Sequence, residues 1–173
     1  MARTLKEQIG KRDDFASAQE EAMLNVYRTA SHFGGGQHAF FKQHKLSPAS
    51  YNLLRILRGH ARKGQREGVR ASEIGCQMVV RMPDVTRLVD RLESMKLVSR
   101  GACVDDKRVK FVKITKKGLD LLALLDPQVV GLVNEQFGHL TDKELGELSR
   151  LLELARNEGG ERATVRDRRK GSS

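Results

Sequence analysis

Residues 71–118 read ASEIGCQMVVRMPDVTRLVDRLESMKLVSRGACVDDKRVKFVKITKKG, and the fold is decided there. Residues 71–78 predict a short helix with Ile74 and Met78 on one side. Pro83 follows a four-residue connection and takes the first-turn position of a second helix, where its missing N–H is no loss. In that helix Val85, Leu88, Val89, Leu92 and Met95 recur at three- and four-residue steps as the inner stripe, which turns Asp84, Thr86, Arg87, Asp90, Arg91 and Glu93 outward. The β-branched segments 97–100 and 109–115 then flank a charged, turn-forming tip at 101–108, the pattern of a hairpin. Helix, tight turn, helix and hairpin make a winged helix-turn-helix.

Working outward, the expected chain is mainly α with a small β-hairpin wing, an α+β class. Residues 1–14 are polar, lack apolar periodicity and are expected to form a flexible N-terminal arm. Helical spacing begins at Phe15 with Ala18, Ala22, Val26, Ala30 and Phe33 on one face. Gly34, Gly35 and Gly36 each cost about 1 kcal/mol relative to alanine in a helix interior, so a break or kink is expected there. Ser47 and Pro48 are a good N-cap and first helical residue, and Tyr51, Leu54, Leu57 and Ala61 follow as a buried stripe widened by Leu53 and Ile56. Residues 62–68 read as a solvated loop. After Lys117 and Gly118, Leu119, Leu122 and Leu125 mark a helix that Asp126-Pro127 is expected to kink or restart. Thr141 to Glu144 is a capping box ahead of Leu145, Leu148, Leu151, Leu152 and Ala155. The Gly- and Arg-rich residues 158–173 read as a disordered basic tail.

Charge is unevenly spread over the 173 residues, whose 32 Lys and Arg exceed 22 Asp and Glu for a formal net charge of +10. Residues 62–117 carry 15 basic and 7 acidic side chains, a local +8, whereas 118–157 carry 3 and 7, a local −4. A basic middle joined to an acidic helical end fits a molecule that holds phosphates with one part and itself together with another. Two cysteines, Cys76 and Cys103, make neither a disulfide framework nor a zinc site, which points to a reducing compartment. Neither an apolar leader nor a membrane-length apolar run stands in the sequence, so the expected location is the cytoplasm, on the nucleoid, with no membrane partner.

The second helix of the motif matches a major groove about 12 Å wide, where base edges present distinguishable donors and acceptors. Thr86 and Arg87, near its start, are the candidates for base or groove-edge contact, and Arg81 stands just before it. Asp84 either accepts from a cytosine amino group or caps the helix. Arg91 suits a phosphate, and Lys96 and Arg100 extend that track. In the hairpin, Arg108 is the candidate for the minor groove with Asp106 as its positioner, flanked by Lys107 and Lys110. These ten residues (Arg81, Asp84, Thr86, Arg87, Arg91, Arg100, Asp106, Lys107, Arg108 and Lys110) form the candidate double-stranded DNA interface.

The ordered stretches ASEIG at 71–75, VTRLVDRLE at 85–93, LVSR at 97–100, DKR at 106–108 and ITKKG at 114–118 resemble the MarR family of bacterial regulators. LSPASYNLLRIL at 46–57 extends the likeness more loosely. The resemblance implies a triangular homodimer whose first and last two helices, within 15–45 and 118–157, interlock around two winged modules at 46–117. It implies repression at a pseudo-palindromic operator, relieved when a small phenolic or anionic ligand binds between the two parts. The residues agree in one respect: Leu-rich terminal helices of net negative charge suit one another better than DNA. The chain departs from the family pattern at four places. Val79 stands where a small residue is usual, Asp84 where a hydroxyl residue is usual, Lys96 in place of a glycine, and Gly34 to Gly36 where the first helix normally runs on.

Other chemistries find less support. No phosphate-binding glycine loop, nucleophile elbow or paired metal motif is present, which argues against an enzyme and gives no reason to expect a cofactor. His32, His38 and His44 repeat every six residues, a period that matches no helical face, and read as surface or pocket-lining groups. The alternative that stays open is a winged-helix module that docks protein without specific DNA binding.

Overall fold

The computed structural model describes residues 3–65, 67–81, 84–102 and 110–157. The expected tail at 158–173 and the wing tip with Cys103, Asp106, Lys107 and Arg108 lie outside the described residues. Two compact units divide the chain, residues 1–128 and 129 onward. In order, the elements are α1 (Leu5–Gln8), α2 (Ala18–Gln43), α3 (Pro48–Arg62), β1 (Val69–Arg70), α4 (Ala71–Gln77), α5 (Val85–Ser94), β2 (Val98–Ala102), β3 (Lys110–Ile114), α6 (Lys116–Phe137) and α7 (Asp142–Arg156). None of the described helices is long and apolar enough to cross a membrane.

The first unit is built around α3. Its Leu53, Leu54 and Leu57 are buried together with Ile74 of α4, Val89 and Leu92 of α5, Leu97, and Val98 and Val112 of the sheet. The strands are antiparallel in the order β1-β3-β2, with Val98 opposite Ile114, Arg100 opposite Val112 and Val69 also opposite Val112. The two-residue β1 was not expected from the sequence, which offers too few residues there for an alternating pattern. Gly68 makes it possible: its φ of +104° is one that residues with a Cβ rarely adopt, and an added Cβ would lie 2.7 Å from the Val112 carbonyl oxygen.

Three sequence expectations need correction. Residues 1–14 are not all a loose arm. Thr4 caps α1 reciprocally with Glu7, whose carboxylate accepts from the Thr4 N–H at 2.8 Å, and Leu5 is buried. Nor do Gly34 to Gly36 break the first long helix, because α2 runs continuously over 26 residues. Ser17 caps its start, accepting from the Glu20 N–H at 3.1 Å. Its end is closed by Lys45 at φ 57°, with the N–H of Leu46 donating to the Phe41 carbonyl at 2.9 Å and both side chains buried. Finally, α6 passes through Asp126-Pro127 without restarting. Leu122 and Leu125 are fully buried on the preceding turn, which offsets the hydrogen bond that proline removes.

Asp126 itself joins α6 to α3. It accepts a 2.7 Å hydrogen bond from the Tyr51 hydroxyl and is paired with Arg58. Burial raises its carboxyl pKa, but the Arg58 and Tyr51 hydrogen bonds outweigh this and hold it below the ordinary range. Burial and the neighbouring carboxylate push the Tyr51 phenol up to about 12. A carboxyl with a depressed folded-state pKa contributes stability above its unfolded pKa and loses it as pH falls through the folded value, so this joint weakens in acid.

Where β3 meets α6 the packing is close. The Thr115 hydroxyl donates to the Lys96 and Leu97 carbonyls at 2.8 and 3.0 Å and accepts from the Gly118 N–H at 3.1 Å, capping α6. A Cβ on Gly118 would lie 2.4 Å from the Leu97 carbonyl oxygen. Gly118→Ala is therefore expected to destabilise the chain by about 1–3 kcal/mol in denaturant unfolding, the usual range for overpacking. An unchanged midpoint would contradict this account of the joint.

Candidate nucleic-acid interface

The helix-turn-helix is assembled from α4 and α5. A bend at Val79 and Val80 connects them, with no positive φ at either valine. The Val79 N–H instead donates to the Asn52 side-chain oxygen of α3 at 3.0 Å, so α3 supports the turn from behind. This answers the departure at Val79, because the chain avoids the conformation that a β-branched residue disfavours. Both valine side chains are exposed.

Helix α5 begins later than the proline suggests. Its N-cap is Asp84 and its first residue Val85, while Met82 and Pro83 lie outside the described residues. The inner stripe is as expected at Leu88, Val89 and Leu92, all buried, with Val85 and Met95 at its half-buried margins. Thr86, Arg87, Asp90 and Arg91 are exposed on the opposite face, and Arg81 is exposed ahead of the helix. At the other end Lys96 takes φ 61° and Leu97 donates to the Leu92 carbonyl at 2.9 Å, the helix-ending geometry also used by α2. That conformation suits glycine, and a lysine there bears the strain.

The charged groups of α5 are sorted among separate partners. Asp84 accepts from the Arg87 N–H at 3.0 Å, and its other oxygen lies 3.0 Å from Arg87 Nε. Asp90 and Glu93 both pair with Arg100, at 2.5 and 3.0 Å. Arg91 donates to the Lys45 carbonyl at the end of α2, at 3.0 Å.

Of the ten candidate residues, the structure brings Asp84, Thr86, Arg87 and Arg91 onto one outward face. Arg100 is placed elsewhere. Opposite Val112 in the ladder and two residues from buried Val98, it lies on the inner face of the wing, and its side chain is only 24% exposed. Its own N–H also donates to Glu93, at 3.0 Å. Two carboxylates and three hydrogen bonds thus tie the root of β2 to α5. The signal was in the sequence, since the period-two step from Val98 to Arg100 puts both on one side. Lys110 sits in β3 opposite Ala102.

The acidic anchors are what sequence reasoning missed. Asp90 and Glu93 fall on the outer arc of α5, and only the hairpin's return brings Arg100 across to them. Arg100→Ala is expected to cost about 1–3 kcal/mol, the range for a partly buried, charge-assisted hydrogen-bonded group. A double-mutant cycle with Glu93→Ala should show about 1 kcal/mol of coupling in unfolding experiments. Additive effects would contradict the link.

Comparison with known proteins places this geometry. The model of the MarR family matches residues 46–110. The HTH-type transcriptional regulator MhqR of Bacillus subtilis is 30% identical over 103 residues, spanning 60% of this chain and 67% of that protein. The crystal structure of a MarR transcription factor from Planctomyces limnophilus is 38% identical and covers 82% of this chain and 99% of its own, with a TM-score of 0.61. Sco3205, a MarR family regulator from Streptomyces coelicolor solved in complex with DNA, is 22% identical with a TM-score of 0.71, covering 87% of this chain and 95% of its own, which supports the fold.

Proposed function

The chain belongs to the MarR family, and from that premise we propose that it is a sequence-specific reader of double-stranded DNA that regulates transcription, acting as a homodimeric repressor at a pseudo-palindromic operator. The observation that carries this reading is the two-sidedness of α5. Leu88, Val89 and Leu92 bury one face, and the opposite face offers Thr86, Arg87 and Arg91 to solvent over a ten-residue rod. Such a rod is about 15 Å long and fits lengthwise in a major groove. The surplus of cations in residues 62–117 supplies the sequence-independent attraction to phosphates.

Within this proposal Arg87 and Thr86 contact base edges, and Arg81 and Arg91 follow the backbone. Arg100, held by Asp90 and Glu93, braces β2 against α5, and Asp106, Lys107, Arg108 and Lys110 are the residues assigned to the adjacent minor groove. Self-association is supported by apolar side chains on helices outside the winged module. In α2, Met23, Val26 and Tyr27 are about half or more exposed, at 50%, 47% and 63%. Leu148, Leu151 and Leu154 of α7 are likewise open, and no residue of α7 is buried. Apolar rows on surface helices of this kind are covered by association.

The test is binding of the purified chain to genomic duplex fragments across a salt series. Affinity is expected to fall by about a thousandfold or more between roughly 50 and 200 mM salt on the selected fragment, as for a protein making six or more phosphate contacts. Failure to retain any duplex at low salt would contradict the proposal and favour a protein-docking role for the module.

A further inference from the structure

We propose that Asp84 is a specificity-determining positioning residue, whose carboxylate orients the Arg87 guanidinium so that the pair selects a guanine in each half-site. This inference rests on the reading of α5 as the groove-facing helix. Both oxygens of Asp84 are committed to the same residue. One accepts from the Arg87 backbone N–H at 3.0 Å as the helix cap, and the other lies 3.0 Å from Arg87 Nε. The cap places one carboxylate oxygen at the Arg87 N–H, and the other then lies beside the Arg87 side chain.

Arg87 needs that support, because its side chain is 88% exposed and would otherwise spread over many rotamers. The competing carboxylates are already engaged. Asp90, one turn further along the same helix, is held 2.5 Å from Arg100, and Glu93 shares the same arginine. Among the described residues Asp84 is the carboxylate paired with Arg87.

The chemistry follows from which donors remain. Asp84 meets the guanidinium at Nε as an ion pair, and among the described residues the two terminal amino groups of Arg87 take no hydrogen-bond partner. Guanine presents two adjacent acceptors in the major groove, O6 and N7, whereas adenine presents one acceptor and one donor. A guanidinium held end-on therefore satisfies guanine and leaves an N–H facing a donor on adenine. A free arginine could swing to a phosphate, which its fork also fits. The Asp84 carboxylate opposes that swing, since the guanidinium would carry a negative group towards another. It lowers attraction to DNA of any sequence and raises the difference between sequences. A hydroxyl residue at position 84 would retain a cap but no charge, so its base preference is expected to differ from that of Asp84.

The experiment is selection from a randomised duplex library with the full chain, comparing the wild type with Arg87→Ala, Asp84→Asn and Asp84→Ser. Asparagine and serine cap helices as well as aspartate does, so both variants keep the helix, checked by circular dichroism, while removing the charge. The wild type is expected to enrich one guanine per half-site, favoured over adenine by roughly tenfold to a hundredfold. Arg87→Ala should abolish that preference. The two Asp84 variants should also lose it while binding unselected duplex more tightly. Retention of the wild-type guanine preference by Asp84→Asn and Asp84→Ser, or an Arg87-independent guanine, would overturn the inference. A wild type that enriches no duplex at all would instead overturn the reading of α5 on which it rests.

Discussion

Burial of Leu88, Val89 and Leu92 where α5 packs on α4 and β2 is the constraint from which the rest of the molecule follows. A ten-residue helix is too short to be stable alone, so α5 exists because this face is packed. Once that face is committed, the other is exposed and its polar groups are displayed in a fixed order. The cap at Asp84 and the glycine-like turn at Lys96 close both ends, and Asn52 of α3 supports the bend that leads in. The helix is thereby held at its sides and at its ends.

That rigidity gives the charges their meaning. On a mobile surface Asp84, Arg87, Asp90, Arg91 and Glu93 would exchange partners freely, and each pair would be worth about 0–1 kcal/mol. Here the partners are separated by geometry. Asp84 serves Arg87, while Asp90 and Glu93 serve Arg100 on the inner face of the wing, and Arg91 reaches the end of α2. The same helix is thus linked to the wing on one flank and to α2 on the other. In the proposed function, helix and wing meet DNA as one piece.

Local signals made most of this legible. Periodicity located α3, α5 and α7, and the caps at Ser47 and Thr141 marked two helix starts where the structure has them. Composition misled where a local cost was met elsewhere. Gly34 to Gly36 argued for a break, yet α2 is capped at both ends and locked by Phe41 and Leu46. Pro127 argued for a restart, but Leu122, Leu125 and Asp126 anchor the turn before it. The helix at Leu5–Gln8 carries the same Thr-x-x-Glu signature as 141–144 and was overlooked because only Leu5 is apolar within it. In the candidate site, the outward face of α5 could be read from the sequence, whereas the partners of its charges could not. Pairing across the hairpin brings Arg100 to Glu93 and Asp90, and no spacing along one helix encodes that contact.

The central claim is that α5 lies in a major groove, in two copies related by twofold symmetry. Methylation interference on a bound duplex tests it most directly, because dimethyl sulfate marks guanine N7 on the major-groove edge and adenine N3 on the minor-groove edge. Two clusters of guanines whose N7 methylation blocks binding are expected, spaced by about one helical turn or a multiple of it. Interference confined to adenine N3, or absent on a duplex that the protein demonstrably retains, would contradict it.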